Sequence, residues 1–358
     1  MRKAKVLVVD DAMLIRRLVT DALSRDAEID VVGEAANGRI ALQKIAQLSP
    51  DLVTLDIEMP EMDGLATLRE IRKMNPRLPV IMFSSHTERG AADTLEALHL
   101  GASDYVTKPN SAAGKAPAQQ RIEESLIPKI RSLCRVGNGT GAAAPARSAA
   151  ASAPKPFAMR ALGTAPRAEI VAIALSTGGP SALGSVLSEL PQDFAAPIVL
   201  VQHMPSMFTR LLAERLNNQT ALTVIEASDG EVITPGTVYV APGDFHLCVK
   251  KGSSRIVTAL TDDPPERSHR PSADVLFRSV AQVYGSRALG LVLTGMGEDG
   301  LEGSREIAQA GGRVIVQDEA TSVVWEMPGR VAQAGIADGV LPIGEMAAEL
   351  IKRTRRAA

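Results

Sequence analysis

A short apolar run that ends in a glycine-rich turn and continues as a helix is the feature that most constrains the fold. Residues 169–175 are rich in Val, Ile, Leu and Ala, and residues 181–190 carry helical apolar spacing. Such a run is typical of a buried parallel strand. The sequence therefore predicts a βα unit with Ser176 at its corner.

The residues after Ser176 fit a tight strand-to-helix corner. Pro180 suits a first helical turn, where its missing N–H costs little, and Gly178 and Gly179 permit positive φ and close backbone approach. A hydroxyl at this corner faces free helix N-terminal amides, which can stabilise an oxyanion. Ser176 is therefore a candidate nucleophile. The alternative is a turn with a capping serine, since serine is a preferred N-cap residue.

Length and composition limit the class of protein. A chain of 358 residues is too long for one typical core, so we expect two or three domains. A net charge of −2 argues against nucleic acid as the main partner. The two cysteines, Cys134 and Cys248, make no disulfide framework or zinc cluster, which predicts a cytoplasmic protein. Without an apolar run of about 18 residues or a signal peptide, we expect no membrane insertion, and we expect a monomer.

Strand and helix patterns alternate through residues 1–135. The predicted elements, in order, are 5–9, 13–23, 29–34, 38–48, 51–56, 64–74, 79–84, 94–100 and 104–107. This alternation indicates an α/β domain of five βα units, with a parallel sheet and right-handed crossovers of the flavodoxin-like type.

Polar side chains fall at the carboxyl ends of these strands, where sites of parallel sheets lie. Asp10, Asp11 and Asp56 form an acidic group suited to an octahedral Mg²⁺ that accepts phosphoryl oxygens, and Ser84 and Lys108 could hold the other phosphate oxygens. The alternative for each residue alone is a solvated carboxylate or a surface lysine.

Taken together, the positions resemble a response-regulator receiver domain over residues 4–130. The motifs are Asp10-Asp11, Asp56 followed by Met59-Pro60 and Gly64, Ser84, and Lys108-Pro109. The resemblance implies that Asp56 accepts a phosphoryl group from a histidine kinase and that Ser84 and Lys108 sense it. It also implies Mg²⁺ held by Asp10, Asp11, Asp56 and the backbone of Glu58.

Residues 136–165 are dominated by Ala, Gly, Ser and Pro. They contain too few branched or aromatic residues to build a core, which predicts a flexible linker. An alanine-rich helix is the alternative, although prolines and glycines interrupt it.

Residues 166–358 again predict a doubly wound, mostly parallel α/β domain. The further predicted elements are strands at 196–202, 223–226, 238–241, 246–249, 255–260, 288–294 and 313–317, and helices at 208–217, 273–283 and 301–310. Ser176, His203 and Asp299 each follow a strand, which suggests a triad of nucleophile, general base and orienting carboxylate. A lone histidine after a strand is more often structural, so the role of His203 depends on its two partners. The other histidines lie in loops or stretches of mixed polarity and are expected to be structural or solvated: His86, His99, His246 and His269.

The loop Gly295-Met-Gly-Glu-Asp-Gly300 matches the G-x-G-x-x-G dinucleotide fingerprint after an apolar strand. Glu298 and Asp299 would place two negative charges beside a pyrophosphate, which disfavours a nucleotide there.

Several ordered motifs resemble the catalytic domain of chemotaxis protein-glutamate methylesterases. They are Ser176-Thr-Gly-Gly-Pro, Gln202-His-Met-Pro205, Ala241-Pro-Gly-Asp244, Arg270-Pro-Ser-x-Asp-Val-Leu-Phe277 and Leu293-Thr-Gly-Met-Gly-x-Asp-Gly300. The resemblance implies that Ser176, His203 and Asp299 are the triad, that the Met296 amide helps to hold the oxyanion, and that Thr177 contributes to the site.

The implied function is a phosphorylation-activated serine hydrolase. It would cleave glutamate γ-methyl esters on chemoreceptors, releasing methanol, and would deamidate receptor glutamines. No cofactor is expected for hydrolysis, and Mg²⁺ belongs to the receiver. We expect the unphosphorylated receiver to cover the triad. The alternatives are a second domain that only binds, or the same chemistry in a pathway that controls something other than motility.

Overall fold

The computed structural model describes residues 2–85, 87–108, 115–135 and 166–355. These residues form two compact units, which divide within residues 136–165. The predicted linker, His86 and Pro109 lie outside the described residues. No helix in the described ranges is long and apolar enough to cross a bilayer.

The first unit is a parallel sheet of five strands with order β2-β1-β3-β4-β5. Its strands are β1 (Ala4–Val9), β2 (Ile29–Ala35), β3 (Leu52–Asp56), β4 (Val80–Ser84) and β5 (Asp104–Thr107). Its helices are α1 (Met13–Leu23), α2 (Gly38–Leu48), α3 (Gly64–Met74), α4 (Glu88–His99) and α5 (Lys115–Cys134). Strands β1, β3 and β4 are almost wholly buried, because helices cover both faces of a sheet wound this way.

The second unit is built on a parallel sheet of seven strands with order β14-β13-β12-β6-β7-β9-β8. Its strands are β6 (Ile170–Leu175), β7 (Ile198–Gln202), β8 (Thr223–Glu226), β9 (Thr237–Val240), β12 (Ala288–Val292), β13 (Arg313–Gln317) and β14 (Gly339–Leu341). A separate antiparallel hairpin consists of β10 (His246–Lys251) and β11 (Ile256–Thr261). Its helices are α6 (Gly179–Ser188), α7 (Ser206–Gln219), α8 (Ala273–Tyr284), α9 (Leu301–Gln309), α10 (Glu326–Gln333) and α11 (Ile343–Thr354).

The α/β class and the parallel sheets of both units are confirmed. Two predictions were incomplete. Helix α4 begins at Glu88 rather than Thr94, because the Thr87 hydroxyl caps it by accepting from the Gly90 amide at 3.0 Å. The predicted elements also stopped at Gln317, whereas α10, β14 and α11 follow and β14 extends the sheet.

Candidate active site

Strand register brings Ser176 and His203 to the same edge of the second sheet. Strands β6 and β7 pair in parallel, with Leu175 opposite Gln202, so Ser176 and His203 are the next residue on each strand. On the other side of β6, the Ser176 amide donates to the Thr294 carbonyl at 3.1 Å. The carboxyl ends of three neighbouring strands therefore meet at Ser176.

The corner after β6 is formed by glycines. Gly178 has φ 76° and is the N-cap of α6, which has no side-chain cap. A Cβ at Gly178 would come within 2.6 Å of Val323, and one at Gly179 would overlap the Gln202 side-chain oxygen. The Ser176 carbonyl accepts from the Gly179 amide at 2.8 Å, so the predicted turn is present. The alternative of a capping hydroxyl at Ser176 is wrong, because the N-cap position is Gly178 and the helix begins at Gly179, three residues after Ser176.

His203 and Asp299 form a hydrogen-bonded pair. His203 Nε2 lies 2.8 Å from Asp299 Oδ2. Burial alone would raise the pKa of Asp299, but the hydrogen bond from His203 and the amides of Ala273 and Asp274 outweigh it and hold the pKa well below its usual range. Asp299 is therefore ionised, and its bond to Nε2 leaves the Nδ1 lone pair of His203 as the basic site.

The Ser176 hydroxyl and His203 Nδ1, which the triad hypothesis pairs, make no hydrogen bond to each other or to any other described residue. His203 Nδ1 is also buried. The predicted hydroxyl–imidazole bond is therefore not formed in this structure, although both groups stand on adjacent strand ends. Hydrogen bonds of this kind often tighten only when substrate is bound.

The loop after β12 carries Met296 between two anchored glycines. The Gly295 amide donates to the Val324 carbonyl at 3.0 Å, and the Gly297 amide donates to Glu326 Oε2 at 2.9 Å. The Met296 amide makes no hydrogen bond within the described residues. An unpaired N–H on a fixed loop is the kind of donor that an oxyanion needs.

Thr177 is buried and its carbonyl accepts from the Thr294 hydroxyl at 2.9 Å. Thr177 is thereby tied to the loop that follows β12.

Carboxylates also occupy the amides of the G-x-G-x-x-G loop. The Gly297 amide donates to Glu326, and the Gly300 amide donates to Asp274 Oδ1 at 3.0 Å. A pyrophosphate would need these donors. Protein carboxylates therefore already occupy two amides of this loop, which agrees with the expectation that no nucleotide binds there.

Sequence reasoning did not find His269, which it grouped with structural or solvated histidines. Its ring stacks on His203 with centroids 4.1 Å apart. Burial, and then the nearby His203, lower the pKa of His269. No local pattern marks this residue, because it reaches the site from a loop far along the chain.

His246 does fit the structural interpretation. Its Nδ1 accepts from the Ser272 amide at 3.2 Å, and it is buried at the start of β10.

Strand register also assembles the acidic cluster of the first unit. Val9 pairs with Leu55, so Asp10 and Asp56 are adjacent at the carboxyl edge of the sheet. Ser84 pairs with Thr107, which places Lys108 one residue further along. Asp10, Asp11 and Asp56 each bring a carboxylate oxygen within 4.8 Å of the others. The Glu58 amide donates to Asp56 Oδ1 at 3.4 Å.

Lys108 is the counter-charge of this cluster. Its Nζ lies 2.6 Å from Asp56 Oδ2 and 3.1 Å from Asp10 Oδ2. Burial and then the charge of Asp10 raise the pKa of Asp56 to about 6 despite Lys108. Burial also raises the pKa of Asp10. Crowded, desolvated carboxylate oxygens of this kind fit a hard divalent cation, which would relieve their repulsion.

Ser84, at the end of β4, is hydrogen-bonded to helix α4. The Thr94 hydroxyl donates to Ser84 Oγ at 2.6 Å, and the Ser84 hydroxyl donates to the Gly90 carbonyl at 3.2 Å. Ser84 thereby connects the carboxyl end of β4 to α4.

Comparisons with known proteins cover both units. A family model described as CheB methylesterase matches residues 171–350, and one described as response regulator receiver domain matches residues 6–114. A protein of Trichodesmium erythraeum named protein-glutamate methylesterase/protein-glutamine glutaminase is 48% identical over 99% of both chains. A protein of the same name from Nocardioides sp. is 49% identical over 98% of this chain and 96% of its own length.

Among solved structures, the Thermotoga maritima CheB methylesterase catalytic domain matches with a TM-score of 0.51 and 44% identity. The match covers 52% of this chain and 98% of that domain.

Proposed function

The chain belongs to the CheB methylesterase family, and we propose that Ser176, His203 and Asp299 carry its hydrolytic chemistry. Its activity is that of a protein-glutamate methylesterase and protein-glutamine glutaminase, joined to a response-regulator receiver domain. The observation that carries the residue assignment is the His203–Asp299 pair beside the strand end that presents Ser176.

In the proposed reaction, Ser176 Oγ attacks the carbonyl carbon of a glutamate γ-methyl ester while His203 Nδ1 takes the hydroxyl proton. Asp299 accepts from Nε2–H and stabilises the imidazolium that results. The imidazolium then gives its proton to the departing methoxide, so methanol leaves and an acyl-serine forms. A water deprotonated by Nδ1 hydrolyses this ester, which releases the glutamate carboxylate and restores Ser176.

The negative charge of each tetrahedral intermediate falls on the former carbonyl oxygen. The unpaired Met296 amide supports a role as its hydrogen-bond donor. The same steps deamidate a glutamine, with ammonia as the leaving group in place of methanol. We propose chemoreceptor side chains, on the cytoplasmic side, as the substrates of both reactions.

The receiver supplies control in this proposal. Asp56 accepts a phosphoryl group from a histidine kinase, and Asp10, Asp11, Asp56 and the Glu58 backbone would hold Mg²⁺, which neutralises the phosphoryl oxygens when bound. Ser84 and Lys108 then bind the phosphoryl group. Because Thr94 ties Ser84 to α4, phosphorylation shifts α4 and thereby the population in which the esterase is active.

Methanol release from methylated receptor membranes tests both the proposed triad and the proposed control by the receiver. The purified chain is assayed with and without Mg²⁺ and a small phosphodonor. We expect the phosphodonor to raise release, Ser176→Ala to abolish it, and Asp56→Asn to keep only the unstimulated rate. Release that persists in Ser176→Ala would refute the triad, and stimulation that persists in Asp56→Asn would refute control through Asp56.

A further inference from the structure

Two buried carboxylates in the second unit cap each other's helices. Asp299, before α9, accepts from the first residues of α8: Oδ1 from the Ser272 hydroxyl at 2.8 Å and the Asp274 amide at 2.9 Å, and Oδ2 from the Ala273 amide at 2.7 Å. Asp274, in the first turn of α8, accepts in return from the start of α9. Its Oδ1 lies 3.0 Å from the Gly300 amide and 2.7 Å from the Gly303 amide.

This reciprocal arrangement, which we call the clamp, fixes the loop that carries Asp299. The two carboxylates are buried, so water cannot replace a lost partner. Asp274 Oδ2 faces Arg267 Nε at 3.5 Å, and Arg267 also reaches Glu298 in the same loop at 2.9 Å. Asp299 is hydrogen-bonded to Ser272, to the Asp274 amide and to His203, so it connects both residues to the histidine.

The clamp determines where Asp299 Oδ2, the oxygen that meets His203, points. Oδ1 is saturated by α8 and by the Gly300 amide at 3.1 Å, and Oδ2 divides its capacity between the Ala273 amide and His203. If Gly300 and Gly303 lost their acceptor, the first turn of α9 and the adjoining Asp299 backbone could shift. A displacement of about 1 Å at a catalytic group can cost on the order of 100-fold in rate.

We infer that Asp274 and Ser272 are positioning residues for hydrolysis, because the clamp holds Asp299 in the orientation that serves His203. This inference rests on the proposed triad. A carboxylate that only caps a helix affects the stability of the unit, whereas a positioning residue also affects kcat. The two roles separate when turnover is compared with that of an equally buried carboxylate elsewhere in the unit.

Asp338 provides that comparison. It is buried and accepts from the Val314 amide at 2.8 Å and from Arg313 Nη1 at 2.7 Å. It precedes β14, at the amino edge of the sheet and so opposite the strand ends that carry Ser176 and His203. Loss of its carboxylate should destabilise the unit without moving Asp299.

The experiment measures kcat and KM for methanol release by the full-length chain, below the unfolding transition of each variant. We expect Asp274→Ala to lower kcat roughly 10- to 100-fold with KM changed less than about twofold. We expect Asp274→Asn, which keeps a carbonyl acceptor for Gly300 and Gly303, to recover kcat to within about threefold of wild type. Asp338→Ala should keep the wild-type kcat.

Equal kcat values in Asp274→Ala and Asp338→Ala, or no recovery in Asp274→Asn, would overturn the inference. If Asp274→Ala does not fold, Ser272→Ala decides, because it removes one donor to Asp299 and leaves both caps of α9; an unchanged kcat there would also overturn it. Ser176→Ala in the same assay distinguishes a failure of the proposed triad from a failure of the clamp inference. Activity in Ser176→Ala refutes the triad, whereas an inactive Ser176→Ala together with a wild-type kcat in Asp274→Ala refutes the positioning role of the clamp alone.

Discussion

The imidazole of His203 stacks on that of His269, with ring centroids 4.1 Å apart and the ring planes inclined by 18°. Asp299 fixes the His203 ring at its Nε2 edge, and His269 covers one of its faces. The pKa of His269 is lowered by burial and by His203, which favours a neutral ring that does not repel the imidazolium of the proposed reaction. The ring is therefore held both at its edge and on its face.

Removal of the stacked ring should reduce turnover. We expect His269→Ala to lower kcat roughly 2- to 10-fold, the rate equivalent of the 0.5–1.5 kcal/mol that an aromatic pair contributes. His269→Phe should keep most of the activity, because a neutral flat ring remains on His203. Steady-state methanol release measures both variants, and a wild-type kcat in His269→Ala would show that the stack plays no part.

The corner that presents Ser176 should not tolerate a methyl group. A Cβ at Gly179 would overlap the side-chain oxygen of Gln202, whose Nε2 donates to the Ser176 carbonyl at 3.0 Å. We expect Gly179→Ala to lower kcat about 100-fold, because the turn that carries Ser176, the proposed nucleophile, must move.

Gly184 in the same helix is the matched control, since nothing lies within 4 Å of its added Cβ. We expect Gly184→Ala to keep kcat and to raise the free energy of unfolding by about 0.5–1 kcal/mol. Equal kcat values for the two alanine variants would contradict this account of the corner.

Neutralising Asp56 should stabilise the receiver. Burial raises the pKa of Asp56 from its ordinary value of 3.8 to about 6 in the fold, so between these pH values the folded state binds more protons than the unfolded chain. The free energy of unfolding therefore rises as the pH falls through 6, and above pH 6 the ionised Asp56 carboxylate destabilises the fold. Without Mg²⁺, we expect Asp56→Asn to raise the free energy of unfolding at pH 7.5 by on the order of 1–3 kcal/mol.

The gain should shrink as the pH approaches 4, where the wild-type carboxyl is protonated in the fold. Hydrogen exchange of the β3 and β4 amides reports the receiver alone. Asp30→Asn, at an exposed position in β2, is the control and should change nothing. Destabilisation of Asp56→Asn at pH 7.5 would contradict the raised pKa.

The sequence alone determined the class of both units and the identity of most candidate residues. Apolar runs such as 170–175 alternate with helical patterns, and this local information is enough to predict a parallel sheet. A parallel sheet in turn places the residues that follow its strands at one edge. The sequence could therefore predict that Asp10 lies near Asp56 in the first unit and that Ser176 lies near His203 in the second. Helix starts were less predictable, because the Thr87 cap and the charged first turn of α4 lack an apolar pattern.

Tertiary structure decided the contacts between residues remote in sequence. His269 stacks on His203, and Asp274 and Asp299 cap each other's helices, because loops after different strands converge at the carboxyl edge of the sheet. The choice of Nε2 as the nitrogen that meets Asp299 is likewise set by where α8 holds that carboxylate. None of these contacts has a sequence period or spacing, since each depends on strand order and loop path, which only the folded chain fixes.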